Sequence, residues 1–375
     1  MLTGIGCCSV RVKGSEYRAD GGPGCFPFVR RTGVSFSERL FVVAASSSGR
    51  SAVCVGTTDV VFLGDFALHQ GGIDDSASKM SVNLATKVAK LYPFVDLIQL
   101  DHEHSAIFLL GHSGLGCSAH RLSFSVNNNH PVVTECLTSP HTIFESDSFS
   151  CAVRLQSVPA VIIGTSQGTV YTVSLGSDFG RVINSFEPGF SVKSPSISDM
   201  TSDTRFLYIS TDEVPEIIVY ACKEGSPDLT QIQLINLTIP SVIFPIQVKS
   251  IMRPFSSLAR DSLDKPSGSL YVRTDRLIAR YSFESSSVVT FEVYDTHQLF
   301  FGPFDNGPVM SIDEDCVAVW ENVCGRLRRS SQMHVNGILQ VAVSRNRDQP
   351  GLFVLTQTDD GKFYLETWDP RGSTN

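Results

Sequence analysis

Along the chain one pattern recurs: an apolar run, a turn of Gly, Thr, Ser or Asp, then a second run that alternates apolar and polar residues. The copies read AVCVGTTDVVFLGDF from Ala52, FLLGHSGLGCSAHRLSF from Phe108, IIGTSQGTVYTVSL from Ile162 and LYISTDEVPEIIVYAC from Leu207. LYVRTDRLIARYSF from Leu270, VMSIDEDCVAVW from Val309 and FVLTQTDDGKFYLETW from Phe353 complete seven copies. Their mean spacing is about 50 residues, the length over which a four-stranded propeller blade repeats. Each copy reads as a β-hairpin. The first run, continuous in aliphatic residues, suits a strand buried on both faces near a propeller's centre. The second, as in Thr169–Leu175, suits a strand with one face wetter than the other. Gln167-Gly168 and Asp360-Gly361 supply the positive φ that tight hairpin turns require.

The expected fold is therefore all-β, a β-propeller of seven divergent four-stranded blades with irregular loops. Two sandwiches side by side or an irregular solenoid are the rival all-β readings; even repetition favours a closed ring, which also removes exposed sheet edges. Long amphipathic helices are nearly absent, which excludes helical bundles and βαβ architectures. Copy spacing runs from 39 residues (270 to 309) to 63 (207 to 270), so some loops are long. Residues 1–35 read as a partly ordered N-terminal segment with room for one outer strand, 36–370 as the propeller and 371–375 as a tail.

Two segments depart from the strand pattern. Met80, Leu84, Val88 and Leu91 recur at helical spacing beside Lys79, Lys87 and Lys90, with Pro93 beyond, and predict a helix over 79–91. Its apolar face is a candidate for partner or membrane contact, against the plainer reading of packing on the propeller's own surface. In 250–263, Ile251, Phe255 and Leu258 stand among serines, the composition of a lipid-packing helix, although Pro254 and the short length favour a loop.

Charge and cysteine usage narrow the function classes. The 30 Lys+Arg against 38 Asp+Glu leave a net charge of −8, so no phosphate-neutralising surface and no direct nucleic-acid contact is expected. Hydrophobic residues at 42% against 18% charged allow a sizeable core. The ten cysteines are scattered without a C-x-x-C pair, which reads as reduced, buried small hydrophobes rather than a disulfide framework or zinc ribbon. No segment approaches the ~20 apolar residues of a membrane span. With no basic leader at the start, the expectation is a chain neither secreted nor transmembrane.

Catalytic motifs fail on context. Gly164-Thr165-Ser166-Gln167-Gly168 matches G-x-S-x-G, but a nucleophile elbow enters a helix and here a strand pattern follows. Gly111–Leu115 has Leu where the last Gly of such an elbow must stand. Asp101-His102-Glu103-His104, with His112 beyond, lacks a third ligand at a defined spacing and reads as a loop before a strand. Asp313-Glu314-Asp315 reads as turn chemistry and Arg326–Arg329 as a solvated loop. No catalytic residue, no metal ligand and no cofactor is expected.

The second half of the chain resembles a known family. FEPGFSVKSPSISDMTSDTRFLYISTDEVPEIIVYAC over 186–222, IQVKSIM over 246–252 with GSLYVRTDRLIARYSF over 268–283, and ILQVAVS over 338–344 with GLFVLTQTDDGKFYLETW over 351–368 follow one another as three successive blades do in the inner-ring scaffold nucleoporins of the non-repetitive, WGA-negative type. The resemblance spans roughly 150–370 and lies in ordered strand patterns. It implies an N-terminal propeller, normally joined to an α-helical solenoid, that serves as a scaffold of the nuclear pore complex with no active site. It further implies other scaffold nucleoporins as partners, peripheral contact with the nuclear envelope membrane, and a place at the nuclear envelope, the cytoplasm being the alternative. Two other readings stay open: a propeller adaptor of a vesicle coat or other multiprotein complex, and an enzyme or ligand-binding propeller that uses its central channel.

Overall fold

The computed structural model describes the strands between Phe28 and Pro370 and most turns of 139–237, 246–253, 265–291 and 335–362, with side chains chiefly from Cys117 onward. Residues 1–27, 37–39, 46–51, 57–58, 64–78, 84–90, 100–103, 114–115, 128–129, 156–157, 238–245, 254–264, 292–297, 302–308, 314–315, 324–325, 345–350, 371–375 and a few single turn positions lie outside the described residues. Strand β1 spans Phe28–Phe36. The first sheet comprises β2 (Leu40–Ala45), β3 (Ala52–Gly56), β4 (Asp59–Leu63) and β5 (Lys79–Asn83). The second holds β6 (Leu91–Gln99), β7 (His104–Ser113), β8 (Gly116–Asn127) and β9 (His130–Thr138). The third holds β10 (Phe149–Arg154), β11 (Ala160–Thr165), β12 (Val170–Ser174) and β13 (Val182–Phe186). The fourth is β14 (Ile197–Ser202), β15 (Phe206–Thr211), β16 (Glu216–Cys222) and β17 (Leu229–Asn236), and the fifth β18 (Val248–Met252), β19 (Ser269–Thr274), β20 (Ile278–Ser282) and β21 (Ser287–Phe291). The sixth is β22 (Gln298–Phe301), β23 (Val309–Asp313), β24 (Cys316–Val323) and β25 (Arg326–His334). The last is β26 (Ile338–Ser344), β27 (Gly351–Gln357) and β28 (Phe363–Pro370), with β1 as its outer strand.

The chain is thus an all-β propeller with four-stranded antiparallel blades. The N-terminal strand finishes the sheet that the C-terminus begins: β1 pairs with β28 from Phe28↔Pro370 to Phe36↔Phe363. β1 is thus the outer strand for which residues 1–35 had room. Sheet packs on sheet through aliphatic side chains. Ile162, Val170, Leu207, Ile209 and Ile218 join the third sheet to the fourth; Tyr208, Val219, Ile235, Val248 and Val272 join the fourth to the fifth. The sixth and last sheets share a core that includes Met310, Val319, Val354, Trp368 and Phe28.

Each apolar run of the repeat is the second strand of its sheet, not the innermost, and each alternating run is the third. In a stack of blades the second strand has sheets on both faces and hydrogen-bonded neighbours on both edges, so β11 and β15 are buried at every position. The first strands lie nearer the axis and are less covered: β10 is half-buried throughout. Six first strands carry a register shift just after their first residue, with Phe41, Tyr92-Pro93, Ser150, Ser198, Lys249 and Leu339 in the extra places.

A second regularity lies on the third strands. Opposite the first or second residue of the second strand stand Phe62, Phe124, Tyr220, Tyr281, Trp320 and Trp368, with Val173 in the third sheet. Beside that position the outer strand carries an extra residue in five sheets, Ile183 and Ile232 among them. Both tryptophans satisfy their indole N–H inside the core, Trp320 on Ser311 Oγ at 2.9 Å and Trp368 on Glu366 Oε2 at 3.0 Å.

Two expectations fail. The helix expected over 79–91 does not form at its described ends: Lys79–Asn83 is β5, paired with β4 from Leu63↔Lys79 to Asp59↔Asn83, and Leu91 opens β6. Met80 and Val82 also fit a period of two, and hairpin pairing with β4 decides between the periods. Pro93, read as a helix stop, occupies the bulge of β6, where a missing N–H costs no ladder bond. Arg326–Arg329 is strand rather than loop, with Arg329 lying over the Trp320 ring at 5.3 Å.

Because Phe28 is fully buried against the last sheet, Phe28→Ala is expected to lower the unfolding free energy by about 3–5 kcal/mol, which urea denaturation followed by tryptophan fluorescence would measure.

Candidate functional site

A propeller offers three places for function: the central channel, the face where loops converge, and the outer strands. On the first strands with described side chains, β10, β14, β18 and β26, the sequences FSCAVR, ISDMTS, VKSIM and ILQVAVS hold a single carboxylate, Asp199. That carboxylate is built into the joint between sheets. Its Oδ2 accepts from the Ile251 N–H of the neighbouring sheet at 2.8 Å and its Oδ1 from the Met200 N–H at 2.8 Å. Burial pushes its carboxyl up to about 6, opposed by these amides, by Ser250 and by the Arg273 charge.

A second joint between the same sheets uses Asp203 and Arg253. Asp203 Oδ1 accepts from the Arg205 and Phe206 amides, and Oδ2 from Tyr208 Oη at 3.0 Å and Arg253 Nε at 3.1 Å. The Arg253 guanidinium also donates to Ser269 O at 3.1 Å and is stacked on the Tyr208 and Phe283 rings at 5.4 and 5.0 Å. This buried arginine has its charge paired, its Nε and one Nη bonded, and its flat face against two rings. It holds the strand end from which the segment with Phe255 and Leu258 departs.

The loop face carries acids tied to backbone amides. Asp147 Oδ1 takes the Ser148 and Gln167 N–H groups at 2.7 and 3.2 Å and the Ser166 hydroxyl at 3.3 Å. Glu213 takes the Ser196 N–H, Glu216 the Ser191 N–H and Asp275 the Gln247 N–H. Each such bond fastens the segment entering one sheet to a neighbouring turn or strand end, which is a positional task for the carboxylate. Ser166 accordingly sits in a hairpin turn between β11 and β12. Gly168 there has φ +83°, and a Cβ on it would meet Pro195 O at 2.7 Å. No nucleophile elbow is formed.

His120 is buried, bonded to Ser118 Oγ at 2.9 Å, and burial pulls its pKa down to about 4. Burial pushes the Cys117 thiol up to about 12, and the Cys222 thiol likewise with help from Asp203. Cys117, Cys151, Cys222 and Cys316 are free thiols. Among the described residues no three His, Cys, Asp or Glu side chains come together as a metal site. His104 opens β7, while Asp101–Glu103, Glu314 and Asp315 lie outside the described residues.

Of the residues singled out for membrane or partner contact, Met80 lies on the outer strand β5 and Leu91 opens the first strand β6. Leu84, Val88, Phe255 and Leu258 lie outside the described residues. Ile251 is a correction: it is buried in the core between the fourth and fifth sheets, because period two on β18 turns it toward Val272 and its neighbours. Among the described residues the exposed large aliphatic ones are instead Ile183 on β13, Ile232 and Leu234 on β17, and Leu339 on β26. Three of these four occupy the extra places of the bulges. A signal for the bulges was present in the sequence, since an aromatic closes the second run in most copies.

Two outcomes test these joints. Arg253→Ala is expected to cost about 3 kcal/mol in chemical denaturation, with Arg253→Lys recovering only part of it because an ammonium cannot stack and fork together. For Asp199, the folded value of about 6 lies above the ordinary carboxylate value, so ionisation opposes folding. The cost appears as pH rises from about 4 through about 6 and is complete above that. Asp199→Asn is therefore expected to gain stability relative to the wild type across that rise, read as the difference in melting temperature at pH 4.5 and pH 7.5.

No family model matches the chain, and no curated protein matches it in sequence. Among solved structures, a chain from the crystal structure of the mitotic checkpoint complex superimposes on it with a TM-score of 0.55 at 11% identity, covering 98% of this chain and 99% of that one. At that identity the likeness is one of fold, and it extends end to end: this chain is similar in architecture to a β-propeller subunit of a multiprotein complex.

Proposed function

We propose that this chain is a non-catalytic scaffold propeller, which binds protein partners through its outer strands and loops, and that its assembly is the nuclear pore complex. One observation carries the scaffold reading. Among the described residues, the buried or half-buried groups Asp199, Asp203, Arg253, Glu216, Glu366 and His120 have structural partners, whereas the uncharged outer strands β13 and β17 leave Ile183, Ile232 and Leu234 in solvent. Binding capacity is thus concentrated at sheet edges, where polypeptide is the natural ligand. That the structural neighbour belongs to a multiprotein complex agrees with this.

The nuclear-pore assignment rests on the ordered strand patterns of 186–222, 246–283 and 338–368, which resemble blades of inner-ring scaffold nucleoporins in the same order; they are not three successive blades here, because the sixth sheet, β22–β25, stands between the second and the third. Peripheral contact with the nuclear envelope membrane, as part of the same proposal, loses Ile251 to the core and falls to Phe255 and Leu258 or to the 79–91 segment with Leu84 and Val88. Proximity labelling from a tagged chain tests the whole reading. A nuclear-rim signal with enrichment of pore scaffold subunits is expected. A diffuse signal with enrichment of another assembly, such as a vesicle coat, would move the scaffold elsewhere, and labelling with no recurrent partner would refute it.

A further inference from the structure

Among the described residues no further strand pairs with the outer strands, and these differ in charge. β1 carries Arg30 and Arg31, β5 carries Lys79, β9 carries Glu135, and β25 carries Arg326, Arg328 and Arg329. Charge on an edge strand discourages pairing with a further strand. β13 and β21 are uncharged but only five residues long. β17, LTQIQLIN, runs for eight residues with no charge and no proline. Its Ile232 and Leu234 are 38% and 46% exposed. The strand is also held in place: Ile235 is buried in the core shared with the fifth sheet, and Gln233 Nε2 donates to Tyr281 Oη at 3.2 Å. Glu224 and Asp228 stand at its N-terminal end, with Lys223 as the one cation of that turn.

We propose that β17 is the acceptor for an extended segment of a partner protein, which adds to the fourth sheet as a fifth strand. The proposal rests on the scaffold reading above and names its surface. The segment runs antiparallel to β17, supplies aliphatic residues against Leu234 and beside Ile232, the extra residue of the β17 bulge, and carries basic residues at its C-terminal flank, which antiparallel pairing brings beside Glu224 and Asp228. Main-chain hydrogen bonds supply affinity and the alternate side chains supply selectivity. A second copy of this chain is the poorer occupant. Edge pairing covers a strip only about 27 Å long and about 5 Å wide, far short of the ~800 Å² per partner of a stable complex between two globular surfaces.

The probe is a fluorescein-labelled nonapeptide that alternates valine and threonine and ends in two lysines, titrated with the full chain and followed by anisotropy. Saturable binding is expected, with amide exchange slowed across β17. Affinity should fall about tenfold or more with Leu234→Lys, with a proline at the peptide's centre, and with glutamates in place of its lysines. Leu339→Lys, an equally exposed change away from this edge, should bind as the wild type does. Circular dichroism checks that the variants fold, which their exposure favours. No binding, equal binding by Leu234→Lys, or a self-association in sedimentation velocity that Leu234→Lys abolishes would overturn the proposal. In the labelling experiment, Leu234→Lys should lose a partner that the wild type recovers. An unchanged partner set sinks the edge inference and leaves the scaffold standing; no partner for the wild type sinks the scaffold reading, while the peptide titration still judges the edge.

Discussion

Everything in this propeller depends on sheet-to-sheet packing. A four-stranded twisted sheet cannot satisfy its apolar faces alone, and the second strands here, AVIIGT and FLYIST, bury every side chain only because another sheet covers each face. The aromatic near the end of the third strand extends that packing toward the rim. Where it is largest, at Trp320 and Trp368, its polar atom is satisfied locally by Ser311 or Glu366. An extra residue in the outer strand beside that site bends the edge. The rim bulges and the inner packing are therefore parts of one arrangement, and the bulges place Ile183 and Ile232 in solvent.

Polar chemistry follows from the same constraint. Stacked sheets leave the ends of strands as the places where backbone groups lack partners, and there the carboxylates of Asp147, Glu213, Glu216 and Asp275 receive amides from neighbouring segments. Asp199 and the Asp203–Arg253 pair do the same across the joint between the fourth and fifth sheets, at the cost of burying charge. Among the described residues these groups are committed, while the outer strands leave aliphatic side chains exposed, and the edges differ by their charge. An arginine-bearing strand such as β25 and an uncharged one such as β17 present the same backbone with opposite invitations.

Closure is shared between the ends of the chain. β1 lies outermost on a sheet whose other strands come from the C-terminus, and Phe28 is buried beside Trp368 in the core that this sheet shares with the sixth. This pairing spans most of the chain's length, so it has no local signature.

The hairpins were legible because a strand pair joined by a tight turn is local: Thr165–Thr169 needs only its own glycine at positive φ and two runs of the right period. Repetition of that unit, with an aromatic closing most copies, determined by itself that the chain is all-β and built of blades. It did not determine which strand of a blade each run forms, since burial of a second strand comes from neighbouring sheets far along the chain. Nor could it separate helix from strand at Met80, where both periods fit and pairing with β4 decides, or surface from core at Ile251, whose burial is made by Val272 and the adjoining sheet. Charge on each strand is written in the sequence; that β17 is an outermost edge, and so exposes its lack of charge, was decided by the tertiary structure, because an edge exists only once the sheet is assembled.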